Sequence, residues 1–284
     1  MSQETQCQSL GGLLRGWRQR RRMSQHDLAG DANISTKHLS FLETGRSRPS
    51  RSMLLHLAAC LDIPLRGRNA LLAAAGFAPT FNERAFAEPA LMQFRRDVEQ
   101  VLMAHGSNPA MVLDRHWTML TANQAVARLV SGTEPMLLRP PVNVLRLFLH
   151  PAGLAPRIVN LTQWRAQIVV RLRRQIDASG DAVLMDMLDE LRDYPMPRRT
   201  GGAEPDDGAD QVAIPFRLAT IDGVLSFFVA TTQFVAPVDI TAAELSIDAF
   251  LPADPETAAT MRRLSGGMTI DADQRSREAV SVSD

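Results

Sequence analysis

Cysteine is nearly absent from this chain. Cys7 and Cys60 are its only two in 284 residues, the first in a polar N-terminal stretch and the second inside an apolar helical pattern. Two such residues make no disulfide framework, and a reducing, cytoplasmic setting is the simplest expectation. No apolar run approaches the ~20 residues that a membrane span requires. Met1–Ser9 is polar and lacks the apolar segment of an export signal. Also missing are Gly-x-Ser-x-Gly, a phosphate loop, His-Glu-x-x-His and any Cys/His cluster with metal spacing. An enzyme needs nucleophile, base and orienting groups that converge, and single histidines such as His105, His116 and His150 bring no visible partner. The expectation is therefore a non-enzyme with no required cofactor or metal and no membrane contact. Aromatic residues make up only 5%, against thirteen methionines, a balance that suits adaptable apolar packing.

What is present begins with an uneven distribution of charge. The net charge is zero, yet residues 1–80 hold eleven Lys/Arg against five Asp/Glu, leaving +6 there and −6 in the remainder. A basic segment joined to an acidic body suits a small nucleic-acid-binding module attached to a larger domain. The length allows about two domains, and 45% apolar residues are enough to build their cores.

Five short helices are predicted between Leu10 and Ala75. The first carries Leu10, Leu14 and Trp17 on one face and ends at Arg20-Arg21-Arg22. Ser24 N-caps a second helix over 25–32, with Leu28 and Ala29 inward. Asn33 is the residue expected to take a positive φ in the tight turn that follows. Ser35 N-caps a third helix over 36–44, closed by Gly45 as a left-handed cap. Ser50 starts a fourth with Leu54, Leu57, Ala58 and Leu61 buried, broken by Asp62-Ile63-Pro64, and a fifth carries Leu71 and Leu72 to Gly76. The strings Ser24-Gln25-His26-Asp27-Leu28-Ala29, Ile34-Ser35, Leu39-Ser40-Phe41-Leu42-Glu43-Thr44-Gly45 and Arg48-Pro49-Ser50, at this mutual spacing over about 70 residues, resemble the XRE or phage-repressor-like helix-turn-helix.

That resemblance implies binding to double-stranded DNA, at an inverted-repeat operator read by a homodimer, with the third helix in the major groove. Ser35, Thr36, Lys37 and Ser40 are the expected contacts at its N-terminal end, Thr36 and Lys37 nearest to base edges. Lys37 is the only lysine in the chain. Gln25 matches the family position that contacts phosphate, Arg46 and Arg48 fall where the backbone is held, and Arg18 with Glu43 match a pair bridging the first and third helices. Phe41 replaces the family's usual polar residue and is expected in the core.

After Gly76-Phe77-Ala78-Pro79 the pattern changes. Leu91, Phe94, Val98, Val101 and Leu102 form a helical stripe that would join domains, pair with a partner subunit or open the second domain. Residues 111–113 and 117–122 read as strands around Asp114-Arg115-His116, and Asn123 enters a helix to Val130. Further helices are expected at 144–149, from Thr162 as N-cap with Trp164, Ile168, Val169 and Leu172 inside and Arg165, Arg171, Arg173 and Arg174 outside, and at 181–191. A Gly/Pro/Asp-rich loop over 195–210 precedes strands at 211–219 and 224–235, joined across Asp222-Gly223 as a hairpin. A last strand over 245–251 and a helix over 255–264 lead to a mobile tail.

The strings Asn143-Val144-Leu145-Arg146-Leu147-Phe148-Leu149-His150-Pro151, Arg157-Ile158-Val159-Asn160 with Trp164-Arg165, Leu225-Ser226-Phe227-Phe228 and Phe250-Leu251-Pro252-Ala253-Asp254 resemble the MmyB-like ligand-binding domain found behind XRE-type helices. The fold this implies is α+β: an all-α five-helix domain (1–78), a linker and amphipathic helix (79–107), a PAS-like antiparallel sheet with helices on one face (108–264) and a tail (265–284). It also implies a small-molecule or protein signal. For an apolar effector, a fatty-acyl chain in particular, the expected lining is Trp117, Met119, Phe148, His150, Trp164, Ile168, Phe216, Phe227, Val229 and Phe234, with Arg165 at the mouth to pair with a carboxylate. The competing reading makes these aromatics ordinary core, Arg165 a solvated charge and the domain a dimerisation or protein-docking module.

Overall fold

The computed structural model describes residues 9–195, 214–234 and 239–265. Cys7, nearly all of the Gly/Pro/Asp-rich stretch and the C-terminal tail expected from the sequence lie outside them. The chain divides into two compact units, one built on residues up to Ala85 with Arg174–Asp181 and residues 239–243, the other on Phe86–Arg173, Ala182–Phe234 and Glu244 onward.

The first unit begins with α1 (Leu10–Arg20), α2 (Gln25–Asp31), α3 (Thr36–Glu43), α4 (Arg51–Cys60) and α5 (Leu65–Ala74). Side-chain caps decide where the helices start. Ser24 accepts from the Asp27 amide while Asp27 accepts from the Ser24 amide, a reciprocal box that satisfies two orphan donors. Ser35 and Ser50 cap α3 and α4 in the same way through His38 and Met53. Asn33 (φ 52°) and Gly45 (φ 74°) take the left-handed conformations expected of them. Leu14, Trp17, Leu28, Leu39, Leu42, Leu57, Leu61 and Leu71 close into one buried core.

Beside that apolar core lies a buried carboxylate. Glu43, 5% exposed at the end of α3, accepts from Arg18 Nε at 2.6 Å and Nη2 at 3.0 Å, and from Gln25 Nε2 at 2.8 Å. Arg18 also donates to the Met23 carbonyl at 2.8 Å. One side chain thus ties α3 to α1 and to the start of α2. The same junction is tight enough that a Cβ on Gly11 would collide with the Glu43 carbonyl.

The second unit opens with a 3-10 turn at Pro89–Leu91 and α6 (Met92–Ala104), then β1 (Ala110–Leu113), β2 (Met119–Ala122), α7 (Gln124–Leu129) and α8 (Val144–Leu149). The chain continues through α9 (Leu161–Ser179), α10 (Ala182–Asp193), β3 (Phe216–Thr220), β4 (Gly223–Gln233), α11 (Ile240–Glu244) and β5 (Ser246–Pro252). A helical segment spans 255–265. The strands form one antiparallel sheet in the order β2-β1-β5-β4-β3, so the first and last strands pair at its centre. The fold is α+β, as the resemblance implies, but helices pack on both faces of the sheet and not on one. Ala110, Val112, Ile247 and Ala249 on one face pack with Val98 and Leu102 of α6. The amphipathic stripe therefore opens the second domain, and its buried residues are used within this chain. On the other face, Phe216, Phe227 and Phe250 meet Phe148 of α8 and Trp164 of α9.

Several boundaries differ from the sequence-based expectation. Trp117 lies in the turn before β2 at φ 65°, because Asp114 Oδ1 accepts from both the His116 and Thr118 amides at 2.8 Å. Helix α9 starts at Leu161, one residue before Thr162, with the Asn160 carbonyl accepting from Trp164 N at 3.0 Å. Strand β3 starts at Phe216. The hairpin loop is Ile221-Asp222, since Thr220 pairs with Gly223, whose φ of 107° suits glycine.

Burial pushes the Glu43 carboxyl up, but the bonds from Arg18 and Gln25 outweigh it and hold it below its ordinary value of 4.5. Its ionised form therefore stabilises the folded unit above pH 4.5, and that contribution is lost as pH falls through the lower folded value. Glu43→Gln should lower stability by about 3 kcal/mol at pH 7, because Arg18 is left beside a neutral partner. Denaturant melts between pH 3 and 7 should show the gap between wild type and variant narrowing on the acid side. A gap that stays constant across that range would separate Glu43 ionisation from stability.

Candidate nucleic-acid interface and ligand-domain interior

The structure sorts the arginines that the charge count lumped together. Arg18 is committed to Glu43, Arg21 donates to the Leu61 and Asp62 carbonyls at 2.8 and 2.7 Å, and Arg68 to the Ile63 carbonyl at 2.7 Å. Arg66 forms a two-point pair with Glu83. These groups finish helix ends and tie segments together. Arg46, Arg48 and Lys37 instead stand exposed around α3.

Of the residues expected at DNA, Ser35, Thr36 and Lys37 are exposed at the start of α3, and Ser40 is half-buried one turn on. Ser35 already uses its hydroxyl as an acceptor for His38, so its share in any contact falls to its own hydroxyl proton. Gln25 is half-buried with its amide turned onto Glu43, which fixes the start of α2 against α3. Phe41 departs from expectation: it is half-buried and not part of the buried core, and the Lys37 ammonium lies 5.7 Å from its ring centroid. The signal was available in the helical repeat, since Phe41 follows Lys37 by four residues and so shares its face.

In the second unit, the residues expected to line a ligand site serve mostly as packing. Phe148 lies 5.3 Å from Phe216 and 5.6 Å from Phe250, and Trp164 lies 5.0 Å from Phe216. Phe216 and Phe227 are fully buried, and Trp117, Phe148 and Ile168 nearly so. The buried Trp164 indole N–H has no acceptor among the described residues. Met119 and Val229 are half-buried on β2 and β4. Phe234 falls on the opposite side, edge-on to Phe94 of α6 at 4.8 Å. Strand parity explains this: 227 and 229 share a face of β4, and a residue at 234 belongs to the other. His150 accepts from the Ala152 amide through Nδ1 at 3.0 Å and lies edge-on to Tyr194 at 5.2 Å.

Arg165 and Arg171, expected outside, are both engaged. Arg165 donates to the Leu191, Arg192 and Tyr194 carbonyls, closing the C-terminal end of α10. Arg171 makes a two-point pair with Asp248 at 2.6 and 2.9 Å and lies 4.3 Å over the Trp117 ring. Asp248, only 4% exposed on the inner face of central strand β5, also accepts from Thr231 Oγ1 at 2.9 Å. Sequence reasoning missed this pair, although an aspartate between Ile247 and Ala249 in an apolar strand needs a buried partner. Beneath Arg146, Glu190 and Tyr194 form a second cluster. Burial, followed by the bond to Glu190, raises the Tyr194 hydroxyl above its usual range. A cavity of about 670 Å3 opens elsewhere, between α7, the β3–β4 hairpin and the 255–265 helical segment. None of the expected ligand residues lines it.

Among the described residues no group of His, Cys, Asp and Glu is arranged to hold a metal ion, and no helix is long and apolar enough to cross a membrane. No curated protein matches the chain. Two families do match: one described as a helix-turn-helix domain, over residues 9–71, and one described as an MmyB-like transcription regulator ligand binding domain, over residues 94–264. The first covers α1 to α4 and most of α5, and the second covers the antiparallel sheet with its helices. With a helix-turn-helix domain ahead of that larger match, the chain belongs to the MmyB-like family and is a DNA-binding transcription regulator.

Proposed function

We propose that this regulator is of the XRE type, reads an inverted-repeat operator as a homodimer through α3, and answers to an acyl-type small molecule taken up by its PAS-like unit. The observation that carries the DNA reading is the face of α3. Thr36 and Lys37 are exposed at its N-terminal end, Ser40 follows one turn later, and Arg46 and Arg48 are exposed just beyond Gly45. A helix end of this kind meets base edges while the flanking arginines hold phosphates. Lys37 supplies donors suited to guanine O6 and N7, and the Phe41 ring beside it suits a thymine methyl group. Gln25, held by Glu43, sets the start of α2 against the backbone.

Support for a homodimer comes from the sheet. Phe228 and Leu251 face each other across β4 and β5 at 41% and 37% exposure, with Val224 at 48% further along the same face. The same patch also fits a domain that serves docking alone, without any ligand. Support for an acyl ligand is a cavity within the usual size range of small-molecule sites.

Lys37→Ala should cost about 1–3 kcal/mol at one base pair and relax specificity there. Arg48→Ala should weaken binding to every sequence alike and reduce the salt slope by about one. Titrations of a selected operator and its single-base variants at several salt concentrations separate the two. Uniform loss in the Lys37 variant would remove it from base readout. Sedimentation of the full chain at micromolar concentration should give twice the chain mass, and a persistent monomer with operator present would contradict the dimer. Native mass spectrometry before and after organic extraction should reveal a co-purifying acyl compound. If none is found, and no added acid binds, the docking reading takes its place.

A further inference from the structure

The cavity beside α7 differs in character from the aromatic interior of the sheet. Ala127 and Leu129 of α7, Leu218 and Leu225 of the hairpin strands, and Met261 and Leu264 of the last helical segment give it apolar walls. Two arginines enter those walls, Arg128 and Arg157. Arg128 donates to Ser265 Oγ at 3.3 Å. Arg157 is half-buried beside Gly132, and the described residues offer it only the Leu129 carbonyl, at a marginal 3.5 Å. Burial alone shifts its guanidinium below the ordinary value, with no acid raising it. Asp222, the one carboxylate among the described residues of the wall, is paired instead with Arg263 at 3.0 Å.

A half-buried guanidinium without an anion is costly, whereas one that meets a carboxylate gains two parallel charge-assisted bonds. Apolar walls with a few placed polar groups are the common composition of small-molecule sites, and the volume of about 670 Å3 falls within their range. We infer that this cavity is the effector site, and that Arg157, assisted by Arg128, clamps the carboxylate of an amphiphilic acid whose chain lies against Leu129, Leu218, Leu225, Met261 and Leu264. This rests on the reading above that the PAS-like unit takes an acyl-type ligand. It moves the site from the Trp164–Phe227 interior, where the rings are already packed on one another, along the same face of the β3–β4 hairpin to its turn end, where Leu218 and Leu225 pair beyond Phe216 and Phe227. The anion specificity follows from charge. Neutral chains of the same length fill the walls but leave Arg157 without an anion.

The test uses the full chain and calorimetric titration with dodecanoate, with dodecanol as the neutral control. Wild type should bind dodecanoate at least tenfold more tightly than dodecanol. Arg157→Ala should lose at least tenfold in dodecanoate affinity while leaving dodecanol binding unchanged, and Arg157→Lys should recover part of the loss. Ala127→Trp, at an exposed position on the cavity wall, should block both ligands without disturbing the core. Wild-type binding of dodecanoate that survives both Arg157→Ala and Ala127→Trp would overturn this site and leave the acyl reading standing. Equal affinity for dodecanol and dodecanoate would overturn the carboxylate clamp. Failure of wild type to bind either would overturn the acyl reading and the site together.

Discussion

The placement of α3, the helix proposed to read DNA, depends on one buried carboxylate. Glu43 lies at the end of α3, and the groups that satisfy it come from α1 and from the first residue of α2. An ionised carboxylate this far from water is tolerable only with several donors in place. The three helices are therefore correct together or not at all. Gly11 shows how close the fit is, because α1 approaches the Glu43 backbone with no room for a methyl group. This arrangement has a functional consequence: Gln25 is oriented by the same oxygen that orients Arg18, so the start of α2 and the exposed end of α3 are held in one rigid frame. Base readout needs such a frame, since a displacement of about one ångström spoils two-point hydrogen bonds.

The second unit uses a comparable device for a different purpose. Asp248 sits on the inner face of the central strand and is closed off by Arg171 and Thr231, with Trp117 stacked on the guanidinium. Next to it, Phe148, Trp164, Phe216, Phe227 and Phe250 fill the space between sheet and helices. A region packed this way sets the geometry of the sheet. The wall formed by α7 and the β3–β4 hairpin is built differently, with short aliphatic side chains and an arginine that has no acidic partner among the described residues. Close packing and the open cavity are thus separated within one domain.

How much of this was legible in the sequence follows from the range of the interactions. Ser24, Ser35, Ser50, Asn33 and Gly45 act on neighbours within a few residues, so their roles could be read directly, and the helices of the first unit start and stop near the expected positions. Phe41 and Phe234 follow simple periodicity, not the apolar character of their rings: one shares the face of Lys37, the other the face of β4 opposite Phe227. Trp117 leaves the strand expected from its propensity because an Asp114 side-chain turn sets its backbone. The Arg171–Asp248 pair spans 77 residues, and the Arg157 cavity is bounded by five separate stretches of chain. No local pattern encodes such meetings. Arg157 stood in a string that resembled the family, but nothing in its neighbours said that it lacked an anion.

The central claim is that occupancy of the PAS-like unit changes how tightly the helix-turn-helix unit holds DNA. Coupling between two sites must be reciprocal. The most direct measurement is a closed cycle: operator affinity with and without saturating dodecanoate, and dodecanoate affinity with and without saturating operator. The account predicts a change in each by the same factor, about 5- to 150-fold for the coupling energies usual in such regulators. Tight dodecanoate binding that leaves operator affinity unchanged would contradict it.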